Sequence, residues 1–154
     1  MPNPLTFPAA TPNIGLPLIF AGQTQKEFFL NQALSILDAL QRGAVLASQP
    51  EPPALAEEGD CYLVTAPAQS DWTGCEDHLA IRIGGAWHLI PPRDGMRLFD
   101  SAAGSWLFYQ AGWHSGQTPA LPGGGAVVDI EARMAVEQLI FALQAAGILA
   151  QPSS

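Results

Sequence analysis

The sequence predicts an α+β fold. A small antiparallel β-sheet over about residues 60–114 is flanked by an N-terminal helix at 24–42 and a C-terminal helix at 130–146, with an extended proline-rich arm at 1–22 in front. Three observations carry this. Phe29, Ala33, Ile36 and Leu40 in one segment, and Val136, Leu139, Ile140 and Leu143 in another, recur at helical intervals. Between them, runs rich in aromatic and β-branched residues alternate with glycine and proline turns. Ahead of both, Pro2, Pro4, Pro8, Pro12 and Pro17 fix φ and remove backbone donors, so the first 22 residues are extended.

The arm is greasy as well as proline-rich, with Leu5, Phe7, Ile14, Leu16, Leu18, Ile19 and Phe20. A free linker would be polar. The arm is therefore expected to lie on another surface, and a neighbouring subunit could supply it. The remainder, 23–150, is expected to form one α+β domain. Thr24 and Glu27 have capping-box spacing at the start of the first helix. Phe29, Leu30, Leu34 and Leu37 widen its apolar stripe beyond what one packing contact needs, and Gly43 is the natural stop. A loop from Ser48 to Gly59 follows, with Pro50, Pro52 and Pro53.

Cys61-Tyr62-Leu63-Val64 reads as a strand. Leu79 to Ile83 and Trp87 to Ile90 flank Gly84-Gly85, a hairpin signal, and Pro91-Pro92 ends the second of them. Met96 to Phe99 and Trp106 to Tyr109 flank a turn at Asp100 to Gly104. Gly85-Ala86-Trp87-His88 is echoed by Ala111-Gly112-Trp113-His114, but two copies do not make a repeat architecture. After a Gly/Pro-rich loop at 115–128, Asp129 suits the N-cap of the second helix and Glu131 its first-turn dipole. Gly147 and Ile148 suit the C′ and C″ positions of a Schellman motif. Met134 and Phe141 lie outside that helix's narrow stripe.

Only 13% of the residues are charged, against about 25% in an average soluble domain. Such a chain buries much of itself or hides surface in an assembly. The excess apolar surface on both helices favours assembly, with Phe29, Leu30, Leu34, Leu37, Met134 and Phe141 as candidate oligomer contacts. The formal net charge is −8 and no stretch clusters Lys or Arg. That argues against a nucleic-acid partner, which needs a basic face, and against anionic membranes. No apolar run approaches the ~20 residues of a membrane span, so no membrane insertion is expected. The N-terminus lacks the basic region of a signal peptide, so synthesis in a cytoplasm is expected. Cys61 and Cys75, without a CxxC pair, read as reduced thiols.

No catalytic constellation assembles from spacing. There is no G-x-S-x-G, no phosphate loop and no paired metal-ligand spacing among His78, His88 and His114. Asp71, Glu76 and Asp77 around Trp72 are of the residue type that glycosidases pair beside aromatic platforms, but no sequence spacing places two acids at the needed separation, and they read as a solvated turn between strands. The expectation is a protein that is not an enzyme, with no metal and no cofactor. Trp87 and Trp106 are expected in the core. Trp72 and Trp113, near turns, are the candidate glycan contacts, because flat aromatic faces stack on sugar rings.

Two blocks carry a family likeness. The first is Thr11-Pro12-Asn13-Ile14-Gly15-Leu16-Pro17 with Ala21-Gly22-Gln23-Thr24-Gln25-Lys26-Glu27 and Asn31-Gln32-Ala33-Leu34. The second is Gly59-Asp60-Cys61-Tyr62-Leu63-Val64, Ala80-Ile81, Gly85-Ala86-Trp87 and Pro91-Pro92-Arg93-Asp94-Gly95-Met96. Over about residues 11–110 the chain resembles an uncharacterised domain family found in prophage tail-fibre proteins and in head-spike or fibre proteins of alphaproteobacterial gene transfer agents. The resemblance implies incorporation into a virion-like particle, homo-oligomeric assembly as a trimer or pentamer, and contact with capsid, fibre or tail proteins and with cell-surface polysaccharide. It carries over no catalytic residue. Related proteins continue into a longer C-terminal part, so a chain ending at Ser154 is expected to be a base or adaptor subunit. The functional expectation is a structural subunit, head spike or tail fibre, supporting attachment to the host surface. The alternative is a carbohydrate-binding module recognising capsule or another surface polysaccharide.

Overall fold

The computed structural model describes residues 11–12, 18, 26–121, 123 and 129–150, with the backbone alone for 26–29. Most of the expected arm, the Thr24 cap and the Phe29 side chain lie outside the described residues. Two compact units divide the chain, Met1–Pro91 and Pro92–Ser154. The α+β class is as the sequence predicts, but the strands expected in one sheet are shared between two. Pro91-Pro92 supplies the physical reason: without N–H donors the two prolines cannot extend the first ladder.

The first unit opens with helix α1 (Lys26–Arg42) and a short strand, β1 (Ala44–Val45). Its sheet consists of β2 (Ser48–Gln49), β3 (Cys61–Val64), β4 (Leu79–Ile83) and β5 (Ala86–Ile90), in that spatial order. A 3₁₀ turn, η1 (Ser70–Trp72), lies between β3 and β4. The β4–β5 hairpin closes through the two-residue turn Gly84-Gly85, with φ of 61° and 76°, where side chains would be strained. The parallel pairing of β2 with β3 was not expected. It is made by backbone alone: Leu63 N–H donates to Ala47 O at 3.0 Å and Thr65 N–H to Gln49 O at 3.0 Å. Ser48-Gln49-Pro50 carries no apolar alternation that could announce it.

All four residues of β3 are buried, so both faces of this sheet are covered. Register sorts the faces. Tyr62 lies opposite Ala80 and Ala80 opposite Leu89, and these join Val64, Trp72 and Trp87 in one cluster. Cys61 lies opposite Ile81 and Ile81 opposite His88 on the other face. Helix α1 packs on β4, and Gln32 Nε2 donates to His88 Nδ1 at 2.9 Å, which places α1 over that second face. The Trp72 turn closes the first.

The second unit contains an antiparallel meander of β6 (Arg97–Asp100), β7 (Ser105–Tyr109) and β8 (Trp113–Ser115), followed by helix α2 (Ile130–Ala145). Asp100 is buried and organises the β6–β7 turn: its Oδ1 accepts from Ala102 N–H at 3.0 Å and Ala103 N–H at 2.9 Å. Helix α2 begins as its sequence predicts, with Asp129 Oδ1 accepting from Ala132 N–H at 2.9 Å. It ends in the expected Schellman arrangement: Ile148 N–H donates to Leu143 O and Gly147 N–H to Gln144 O, both at 2.9 Å. The chain beyond it returns to the meander. Trp106 N–H donates to Gly147 O at 2.8 Å, Ala150 N–H donates to Gly116 O at 2.9 Å, and Leu149 bridges Gly116 in parallel. Gly116 is required there, since a Cβ would run into the Ile148 carbonyl.

Candidate functional site

The meander of the second unit has two unlike faces. Leu98, Asp100 and Ser105 are buried, and by alternation Leu107 and Tyr109 share their side. The opposite face carries Phe99 paired with Trp106, and Arg97 paired with Phe108, which is in turn paired with His114. Phe99 holds the Trp106 indole edge-on at 5.4 Å and 67°, and His114 lies 5.2 Å from the Phe108 ring at 30°. Neighbours thus fix both rings, yet Trp106 is 46% and Phe108 44% exposed. They form the floor of an open groove of about 780 Å³, whose polar lining includes Asp94, Arg97 and Gln110, with Ile148 also on its wall. Asp94 Oδ1 accepts from Ala111 N–H at 3.1 Å, which fixes that carboxylate at the rim.

The placement of Trp106 corrects the sequence expectation of a core residue. Ser105-Trp106-Leu107-Phe108-Tyr109 is apolar on both alternating sets, so periodicity alone could not say which set faces outward. The expectation for Trp87 fares better: it is half-buried within the cluster of the first unit. Trp72 is wholly buried there. Trp87 meets it edge-on at 5.2 Å and 82°, and Tyr62 lies 6.0 Å away. A ring enclosed in this way has no face to offer a sugar. Its Nε1 is a buried donor with no hydrogen-bond partner among the described residues. Trp113 is half-buried, with Tyr109 edge-on to it at 5.2 Å and 66°. Of the two tryptophans expected as glycan contacts, Trp72 lies in the first unit and Trp113 in the second.

Helix α2 presents a second surface. Its inward edge is narrow, with Ile140 and Gln144 buried and Arg133 and Glu137 half-buried. Gln144 Nε2 donates to Ala150 O at 3.2 Å, so part of that edge is polar. Ile130, Met134 and Phe141 lie on one side of the edge, and Val136 and Leu139 on the other. All five are between 42% and 67% exposed. At about 100° per residue, each set forms its own apolar stripe. Of the candidates on α1, Leu30 and Leu37 are exposed and Leu34 is half-buried.

Of the acids around Trp72, Glu76 braces the loop. Backbone N–H groups, those of Glu76 itself and of Ala68, hold the Glu76 carboxyl below its ordinary range, with the Ala68 bond at 3.1 Å. His78 Nδ1 lies 2.9 Å from the Glu76 carbonyl oxygen, and its imidazole lowers the carboxyl further. Burial pushes the Cys61 thiol up to about 12, partly offset by Arg42 and reinforced by Asp60. No group of three His, Cys, Asp or Glu among the described residues is placed to hold a metal ion. No described helix is long and apolar enough to cross a membrane.

The family described as protein of unknown function DUF2793 matches residues 30–114. No curated protein and no solved structure matches the chain.

Proposed function

Taking as premise that the chain belongs to the DUF2793 family, we propose that it is a structural subunit of a phage-like particle, part of a head spike or tail fibre, that assembles with copies of itself and supports attachment to a host surface. The observation that carries the proposal is the apolar exposure of α2. Five large apolar side chains, Ile130, Met134, Val136, Leu139 and Phe141, stand open on one helix of 16 residues. Fully burying such a side chain stabilises by about 1.5–3 kcal/mol, so the half-exposed set is worth about 5 kcal/mol per copy. Two copies supply about 10 kcal/mol, within the ~4–15 kcal/mol cost of association. The helix can therefore offset much of that cost, and the exposed Leu30 and Leu37 on α1 add to the gain. The particle context rests on the resemblance read from the sequence over about residues 11–110, while the family match itself covers residues 30–114.

Light scattering on the purified chain at micromolar concentration is the test. The expected result is a trimer or pentamer that Met134→Glu with Phe141→Glu converts to a folded monomer. A stable, well-folded wild-type monomer would overturn the proposal.

A further inference from the structure

We propose that the open groove of the second unit is a saccharide site that takes a carboxylate-bearing sugar, such as a uronic acid. Three features of the groove point to that class. Its floor is two immobilised aromatic rings, Trp106 and Phe108, on alternate positions of one strand face, which sets them about 7 Å apart along the strand. Sugar rings present apolar C–H faces that stack on such rings, and each aromatic neighbour already in place removes ordering cost on binding. The groove's volume of about 780 Å³ falls in the range of small-molecule sites, about 300–1,000 Å³.

The rim is polar at the places where hydroxyls would emerge. The Asp94 carboxylate is held by the Ala111 amide through one oxygen, and Gln110 lies beside it. Charge then selects among sugars. Arg97, cross-strand from Phe108, makes no ion pair with a carboxylate among the described residues, in a chain of net charge −8. A guanidinium binds a carboxylate through two parallel N–H···O bonds, and a uronate brings that partner on the same ring that stacks. A polyanion such as nucleic acid would need several cations; the groove lining supplies one, Arg97, and also carries the Asp94 carboxylate, so a single sugar carboxylate directed at the guanidinium is the anion that it suits.

The site would serve attachment as proposed above, yet it does not depend on assembly, because every group belongs to one copy. The test titrates the full chain with an oligogalacturonate and, separately, with a neutral cello-oligosaccharide of equal length, following tryptophan fluorescence. The expected result is saturable binding of the acidic oligomer at least about tenfold tighter than the neutral one. Arg97→Gln reduces the acidic oligomer to the neutral level, and Phe108→Ala weakens both, with circular dichroism unchanged. Should Phe108→Ala not fold, the exposed Arg97 substitution decides alone. Binding that persists in the Met134→Glu, Phe141→Glu variant supports the site whatever the fate of the assembly proposal. No binding of either oligomer at millimolar concentration, equal binding of both, or acidic binding that survives Arg97→Gln overturns it.

Discussion

Replacing Trp72 by alanine tests the account of the first unit most directly. The indole is wholly buried against Tyr62, Val64, Ala80 and Trp87. A tryptophan of that kind removes about 200 Å² from water, worth about 5 kcal/mol at 25 cal/mol/Å². The edge-on contacts with Trp87 and Tyr62 add about 1 kcal/mol. Against this, truncation removes the unpartnered Nε1–H, whose burial costs about 1–3 kcal/mol, and neighbouring side chains close part of the cavity. The net expectation is a loss of about 4 kcal/mol, inside the range of about 3–5 seen for such truncations. That is a large share of the ~5–15 kcal/mol that holds a typical domain together. Trp72→Phe keeps a ring, removes the stranded donor and should lose only about 1–2 kcal/mol. Urea unfolding at fixed protein concentration, followed by far-UV circular dichroism, reads both variants from the midpoint at unchanged slope. If alanine costs less than about 1 kcal/mol, the ring is not enclosed as described, and its candidacy as a glycan platform returns.

Two further outcomes follow from single groups. The Cys61 thiol is held up to about 12 by burial, from an ordinary 9.0. The folded state therefore keeps a proton that the unfolded state releases. The stability this contributes is complete below pH 9 and falls as pH rises toward 12, and Cys61→Ala should flatten the alkaline slope of thermal melts. In native protein at pH 8, iodoacetamide should modify half-buried Cys75 and spare Cys61, as mass spectrometry of the digested protein would show. At the N-terminus of α2, Asp129→Ala removes the bond from Ala132 N–H and should cost about 0.5–2 kcal/mol, whereas Asp129→Asn should cost much less. Equal melting temperatures for the alanine and asparagine variants would argue against the cap.

Local chemistry was legible wherever one residue decides one conformation. Asp129 begins α2, Gly147 follows its end, Gly84-Gly85 turns a hairpin and Pro91-Pro92 stops a strand, because backbone constraints of this kind act within a few residues. Packing was less legible. Trp72 and Trp113 look alike as turn-side tryptophans, and the difference between them depends on what the fold brings over each ring. Trp72 lies in a 3₁₀ turn folded onto β3 and β4, whereas Trp113 starts β8 and keeps part of its ring open.

The sequence by itself determined the α+β class, both helices, the β4–β5 hairpin and the excess of apolar surface on α2, since each follows from spacing along the chain. Only the tertiary structure decided that the strands form two sheets, that Trp72 is core, and that Trp106, Phe108 and Arg97 share an open face. Those outcomes depend on register: moving a strand by one residue exchanges its faces, and a strand apolar on both faces, such as Ser105–Tyr109, leaves the choice to the neighbours that cover one of them.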